Sequence, residues 1–154
     1  MTKDELYESL LPQLKAVVEG ESDMIANMAN VCAILHEEFH FWWTGFYRVL
    51  NDEASGTEQL VLGPFQGPMA CTRIACGRGV CGSSWAEDRT LVVPNVHEFP
   101  GHIACSSASN SEIVVPIHDA EGRVTGVLDI DSEKFETFDA IDAKWLEQVV
   151  VLFV

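Results

Sequence analysis

Cations are scarce in this chain: 9 Lys+Arg stand against 24 Asp+Glu, a formal charge of −15 over 154 residues. Such a charge repels phosphate backbones, which sets nucleic acid aside as a partner. Long apolar runs are missing too. None approaches the roughly 20 residues a membrane helix needs, so no membrane association is expected. The opening Met1-Thr2-Lys3-Asp4-Glu5 has no apolar h-region, and the expectation is a cytoplasmic protein. With 47% hydrophobic residues, the chain can still bury the core of one domain without disulfide or metal staples.

Thr2 and Glu5 form a capping-box pattern ahead of Leu6, Leu10, Leu14, Val17 and Val18. This predicts a helix over 2–18, kinked or restarted at Pro12 and closed by Gly20. A second helix over 23–38 is expected to bury a stripe of Ile25, Met28, Cys32, Leu35 and Phe39. From Phe41 the pattern turns aromatic and β-branched. Strands over 41–50 and 58–62 read as one hairpin, and 112–118 with 123–131 as another, about the turn Asp119-Ala120-Glu121-Gly122. Short strands are expected near 71–75 and 90–93. A last helix starts near Asp139 and carries Ile141, Trp145, Val149 and Leu152. Helices at both ends of a run of hairpins indicate an α+β fold, a central antiparallel β-sheet flanked by N- and C-terminal helices. Segment 63–111 is too long for a plain connection, and a site is expected there.

That segment holds Gly77-Arg78-Gly79-Val80-Cys81-Gly82, a literal G-x-G-x-x-G. Dinucleotide binding needs a parallel βαβ setting and a full helix after the motif; here it reads as a glycine-shaped turn. Five cysteines, Cys32, Cys71, Cys76, Cys81 and Cys105, come without a secretory signal, which speaks against a structural disulfide framework. The C-x4-C-x4-C spacing of Cys71, Cys76 and Cys81 fits neither a zinc knuckle nor an iron–sulfur run, so no metal and no cofactor is assigned. Redox thiol chemistry fits better. Cys105 sits in a small, polar stretch that leaves a sulfur accessible, and Cys71, at the start of an expected strand, is available for a long-range disulfide. Asp129 and Asp131 share one face of their strand, and Glu112 begins the partner strand. A solvated sheet face is the plain reading; an acidic concavity for an ammonium group is the functional one. Trp43 and Tyr47 fall on one side of their strand, either as core or as the wall of a pocket for a small thioether-like group.

These residues together resemble the free methionine-(R)-sulfoxide reductases, single GAF-domain enzymes, from about Trp42 to the C-terminal helix. The blocks that carry the likeness include Gly63-Pro64-Phe65-Gln66-Gly67-Pro68-Met69-Ala70-Cys71, Phe99-Pro100-Gly101-His102-Ile103-Ala104-Cys105 and Gly126-Val127-Leu128-Asp129-Ile130-Asp131-Ser132. The resemblance implies one GAF domain over 1–154. It implies that Cys105 is the catalytic cysteine, Cys71 the one that resolves it, and Cys81 a third that can substitute in disulfide formation. Glu112, Asp129 and Asp131 match the acidic substrate-binding positions, and Trp43 and Tyr47 the aromatic wall. It further implies reduction of free methionine-(R)-sulfoxide through a sulfenic acid and a disulfide, recycled by thioredoxin or a similar dithiol. A homodimer is expected by analogy. A non-catalytic GAF sensor of small molecules and a thiol redox sensor remain the alternatives.

Overall fold

The computed structural model describes residues 1–101 and 108–154. Helices α1 (Lys3–Glu19) and α2 (Met24–Phe39) precede strands β1 (Trp43–Asp52), β2 (Thr57–Gln66) and β3 (Arg73–Ala75). Helix α3 (Gly79–Glu87) and strand β4 (Leu91–Val93) follow, then the hairpin of β5 (Ser111–His118) and β6 (Val124–Ser132) and helix α4 (Ala140–Val150). The strands form one six-stranded sheet in the order β3-β2-β1-β6-β5-β4, every neighbouring pair antiparallel.

Alternation along the central strands divides the molecule into two layers. Phe46 of β1, Ile113, Val115 and Ile117 of β5, and Leu128 and Ile130 of β6 face α1, α2 and α4 in one core. The intervening Trp43, Tyr47, Val114 and Val127 face a second core shared with Val80 and Cys81 of α3 and with Ile74, Leu91 and Val93. Both faces of β5 and β6 are therefore covered, which is unusual for an antiparallel hairpin and makes the acidic residues on it conspicuous.

The helices begin where the caps predict. Thr2 Oγ1 accepts from the Glu5 N–H at 3.1 Å, and Asp23 Oδ1 from the Ala26 N–H at 2.9 Å. Pro12 neither ends nor splits α1, which runs through it. The carbonyl of Glu8 that it leaves without a donor is on an exposed turn where water can serve. Two expected stripes hold only in part: Met28, Cys32, Leu35 and Val149 are buried as expected, while the first residue of each is not. In α2 the buried face is Asn27, Met28, Val31, Cys32 and Leu35, and Ile25 is exposed. In α4 the buried face is Asp142, Leu146, Val149 and Val150, with Ile141 turned outward. A charged residue holds the core position in α4 because its partners come from another helix. Asp142 accepts from Tyr7 Oη at 2.6 Å and from Lys3 Nζ at 2.7 Å, and it completes a capping box with Asp139. Strand β2 is also longer than expected, since after a register shift Phe65 and Gln66 continue the ladder against Gly45 and Thr44 rather than opening a loop.

Asp142 thus ties the first helix to the last. Asp142→Ala should cost about 2–4 kcal/mol, because it strands a buried hydroxyl and an ammonium and removes a cap. Urea denaturation measures this, and Tyr7→Phe should cost clearly less; a loss below 1 kcal/mol for Asp142→Ala would contradict the assignment.

Candidate active site

Strand register builds the site. Glu112 on β5 stands opposite Asp131 on β6, which stands opposite Trp43 on β1. One step along, Asp129 lies between Val114 and Gly45. The three carboxyls and the aromatic wall therefore share one patch of the sheet. Helix α3 covers it and brings the Cys81 Sγ to 4.0 Å from Glu112 Oε2. A cavity of about 70 Å³ remains, lined by Trp43, Tyr47, Cys81, Glu112, Asp129 and Asp131 among others.

The aromatic wall depends on a missing side chain. A Cβ on Gly45 would overlap the ring of Trp43 and come within 2.6 Å of Phe65 Cβ. Without it, the Trp43 ring lies across the strand and stacks on Phe65 at 5.3 Å and on Tyr47 at 6.1 Å. The polar ends of both residues reach the segment before β3. Trp43 Nε1 donates to the Pro68 carbonyl at 2.9 Å, and Tyr47 Oη to the Cys71 carbonyl at 2.8 Å.

Burial sets the chemistry of the acids. Glu112 and Asp129 are 6% and 5% exposed, and Asp131 is half-buried. Burial, joined by the charges of Asp129 and Asp131, pushes the Glu112 carboxyl well above the usual range. Burial and then Asp129 do the same to Asp131, against hydrogen bonds from Ser109 and Glu112; Ser109 Oγ donates at 3.2 Å. Asp129 is raised by burial against hydrogen bonds from Glu112 and Cys81, and its Oδ1 is buried without a partner among the described residues. The cluster therefore retains protons that exposed carboxylates would have lost. Cys81 sits in the first turn of a helix, where thiols ordinarily acidify. Burial and the three acids overrule that and push it well above its usual value. It is a thiol here, not a thiolate.

The other cysteines fall in separate settings. Cys71 lies two residues before β3, half-buried, and is disulfide-bonded. Cys76 is exposed and free beyond the end of β3, and Cys32 is buried in the helical core with its thiol pushed up to about 12 by burial. Cys105 lies outside the described residues. The C-x4-C-x4-C run is thus spread over a loop, a strand end and a helix, and makes no metal knuckle. A different set does come together: Cys81 Sγ and one oxygen each of Glu112 and Asp129 lie within 4.8 Å of one another. Tetrahedral zinc would need such atoms roughly 3.5 Å apart, so this set could close on an ion.

Spacing did not reveal α3. The glycine motif encodes the start of a nine-residue helix: Gly77 and Gly79 adopt φ of +81° and +60°, and a Cβ on Gly82 would meet the Ala75 carbonyl oxygen at 2.6 Å. That turn places Arg78 and the first turn of α3 beside the cavity. The signal was the glycines themselves, read as turn formers.

The raised carboxyls leave a mark on stability. Glu112 keeps its proton in the folded state where the unfolded chain, with a carboxyl pKa of about 4.3, has lost it. The folded state then binds more protons, and this group lowers stability as pH rises from there toward its folded value. Glu112→Gln should therefore stabilise the protein more at pH 8 than at pH 4. Urea denaturation at the two pH values checks this, and an equal or reversed difference would count against a protonated Glu112.

Comparison with known proteins fits this geometry. Residues 23–153 match the GAF domain family. The chain is 54% identical over 151 residues to GAF domain-containing protein A of Dictyostelium discoideum, covering 98% of this chain and 92% of that protein. It is 45% identical over 151 residues to the free methionine-R-sulfoxide reductase of Escherichia coli, covering 97% and 87%. Among solved structures, it is similar to the free methionine-R-sulfoxide reductase of Neisseria meningitidis in complex with its substrate, at 51% identity and a TM-score of 0.92, covering 99% and 88%. The chain belongs to the GAF domain family and, within it, to the free methionine-R-sulfoxide reductases.

Proposed function

We propose that this protein, a single GAF domain over 1–154, reduces free methionine-(R)-sulfoxide to methionine. The observation that carries the reading is a proton-holding carboxyl cluster facing a small cavity walled by Trp43 and Tyr47. A sulfoxide needs two things: a nucleophile at sulfur and a proton for the departing oxygen. An acid kept protonated at neutral pH by burial is suited to the second. The aromatic wall suits the S-methyl group.

In this reading the Cys105 thiolate attacks the sulfoxide sulfur while a carboxyl of the Glu112–Asp129–Asp131 set gives its proton to the oxygen. The S–O bond breaks, methionine leaves, and Cys105 carries the oxygen as a sulfenic acid. The Cys71 thiol condenses with it, releasing water and forming a disulfide. A dithiol such as thioredoxin then reduces that disulfide by exchange. The disulfide-bonded state of Cys71, next in sequence to the cavity-lining Ala70, supports this resolving role. Cys81, held as a protonated thiol beside Glu112, fits a secondary part.

Burial changes the use assigned to the acids. Exposed carboxylates would suit an ammonium, as the spacing alone suggested. Buried carboxyls that keep protons are donors, and they are better matched to the sulfoxide oxygen. A cytoplasmic setting, where dithiol reductants are at hand, fits the cycle. A homodimer fits the exposed Met24, Ile25 and Ile141 on the helices, which a second copy would cover. Sedimentation equilibrium checks this, a monomer at every accessible concentration rejecting it.

The reaction itself is tested with racemic free methionine sulfoxide and dithiothreitol, each sulfur epimer being followed by chiral chromatography. The expected result is loss of the R epimer alone, abolished in Cys105→Ser. Persistence of both epimers would favour a sensor domain; turnover undiminished in Cys105→Ser would remove the assigned nucleophile.

A further inference from the structure

Three side chains from three separate elements converge beneath the aromatic wall. Cys81 comes from the first turn of α3, Glu112 from β5 and Asp129 from β6. The sulfur and one oxygen of each acid lie within 4.8 Å of one another, and all three residues are buried. Other acids in the molecule are satisfied by partners. Asp142 is held by Tyr7, Lys3 and its own cap, and Asp131 accepts a hydrogen bond from Ser109. Asp129 differs. It is 5% exposed, it lines the cavity, and its Oδ1 has no partner among the described residues. Leaving such an atom unanswered is costly, so it marks a place that a ligand completes. Beside it stand a sulfur and a second carboxyl, which together favour a ligand that accepts electron pairs.

We infer that Cys81, Glu112 and Asp129 form a binding site for a thiophilic divalent cation of the zinc class. One sulfur and two carboxyl oxygens suit Zn²⁺, whereas magnesium and calcium call for an all-oxygen shell of six or more. Cys81 Sγ and Glu112 Oε2 are 4.0 Å apart, so closing on a tetrahedral ion takes a movement of about half an ångström. Three protein ligands leave the fourth position to water on the cavity side. On binding, bonds from sulfur and oxygen to the metal replace S–H and O–H bonds, and the protons pass to water. Nothing is oxidised or reduced. The ion takes up room in a cavity of about 70 Å³ and removes the protons of two of its acids. Metal and sulfoxide therefore exclude each other at this place, a consequence that rests on the reductase reading; the metal site itself does not.

The site is tested on the unreduced chain in a Cys76→Ser background, which removes the exposed free thiol and leaves the cavity alone. Zn²⁺ is titrated by calorimetry and Co²⁺ by absorption. One equivalent should bind, and Co²⁺ should give a sulfur-to-cobalt charge-transfer band. Cys81→Ser should abolish the band and raise the Zn²⁺ Kd at least about tenfold; Asp129→Asn should keep the band with a similar loss of affinity. Asp129→Asn preserves both shape and thiol, so it decides the matter if Cys81→Ser does not fold. No saturable binding of either ion at millimolar concentration, or an unchanged Kd in either variant, overturns the site. Exclusion is read from steady-state turnover with free Zn²⁺ fixed by a chelator buffer. Zn²⁺ should raise KM for free methionine-(R)-sulfoxide, leave kcat unchanged, and be reversed by EDTA. Inhibition that excess sulfoxide does not relieve overturns the exclusion. If the sulfoxide is not turned over even without metal, the reductase reading fails instead, and the site still stands or falls on the titrations.

Discussion

Three carboxyls held side by side on a covered sheet face are the constraint around which this molecule is arranged. An ionised carboxylate taken out of water without a partner is so costly that the group keeps its proton instead. Glu112 and Asp129 are buried, Asp131 is their neighbour across the ladder, and no cation reaches them among the described residues. The site is therefore proton-rich at a pH where surface acids are bare. That single fact lets a cluster which looks like a cation trap hold protons it can donate as well as accept, and it also keeps Cys81 a thiol in a helical position that would otherwise acidify it.

Such a face cannot hold the fold together, and the other layer does that work. The helical side is almost wholly apolar, built from Phe46, Ile113, Val115, Leu128 and Ile130 against α1, α2 and α4. Asp142, the one buried charge on that side among the described residues, is answered by Tyr7, Lys3 and the cap of α4. The contrast between two buried aspartates is instructive. Asp142 has every oxygen partnered and joins two helices; Asp129 has an oxygen with no partner and borders a cavity. Burial alone is neutral as to purpose. Partnering separates structure from function.

Much of this was legible in the residues. Alternation over 124–132 puts Asp129 and Asp131 on one side with Leu128 and Ile130 on the other, and the turn at Asp119–Gly122 fixes the register that brings Glu112 to them. Period 2 is unambiguous once both neighbours are known. The helices were found, and Met28, Cys32, Leu35 and Val149 are buried as expected, but the edges of the faces were misjudged, because Ile25 and Ile141 look like core residues and Asn27 and Asp142 do not. Only partners distant in sequence make the polar choice favourable. Helix α3 escaped because its glycines serve a turn and a close approach at once, and nothing in their spacing distinguishes that from a loop. The protonation of the acids was illegible for a simpler reason: it depends on what covers them, and α3 is the cover.

Tyr47 and Trp43 hold the segment before β3 through carbonyl oxygens, at Cys71 and Pro68, rather than through its sulfur. The anchor is indifferent to the oxidation state of the cysteine it positions. In the proposed cycle the disulfide at Cys71 opens and closes while the backbone that carries it stays moored to the same strand that walls the cavity. The two carbonyl anchors of that cycle do not involve the sulfur, so the binding site would not have to be rebuilt each time the covalent tether is cut.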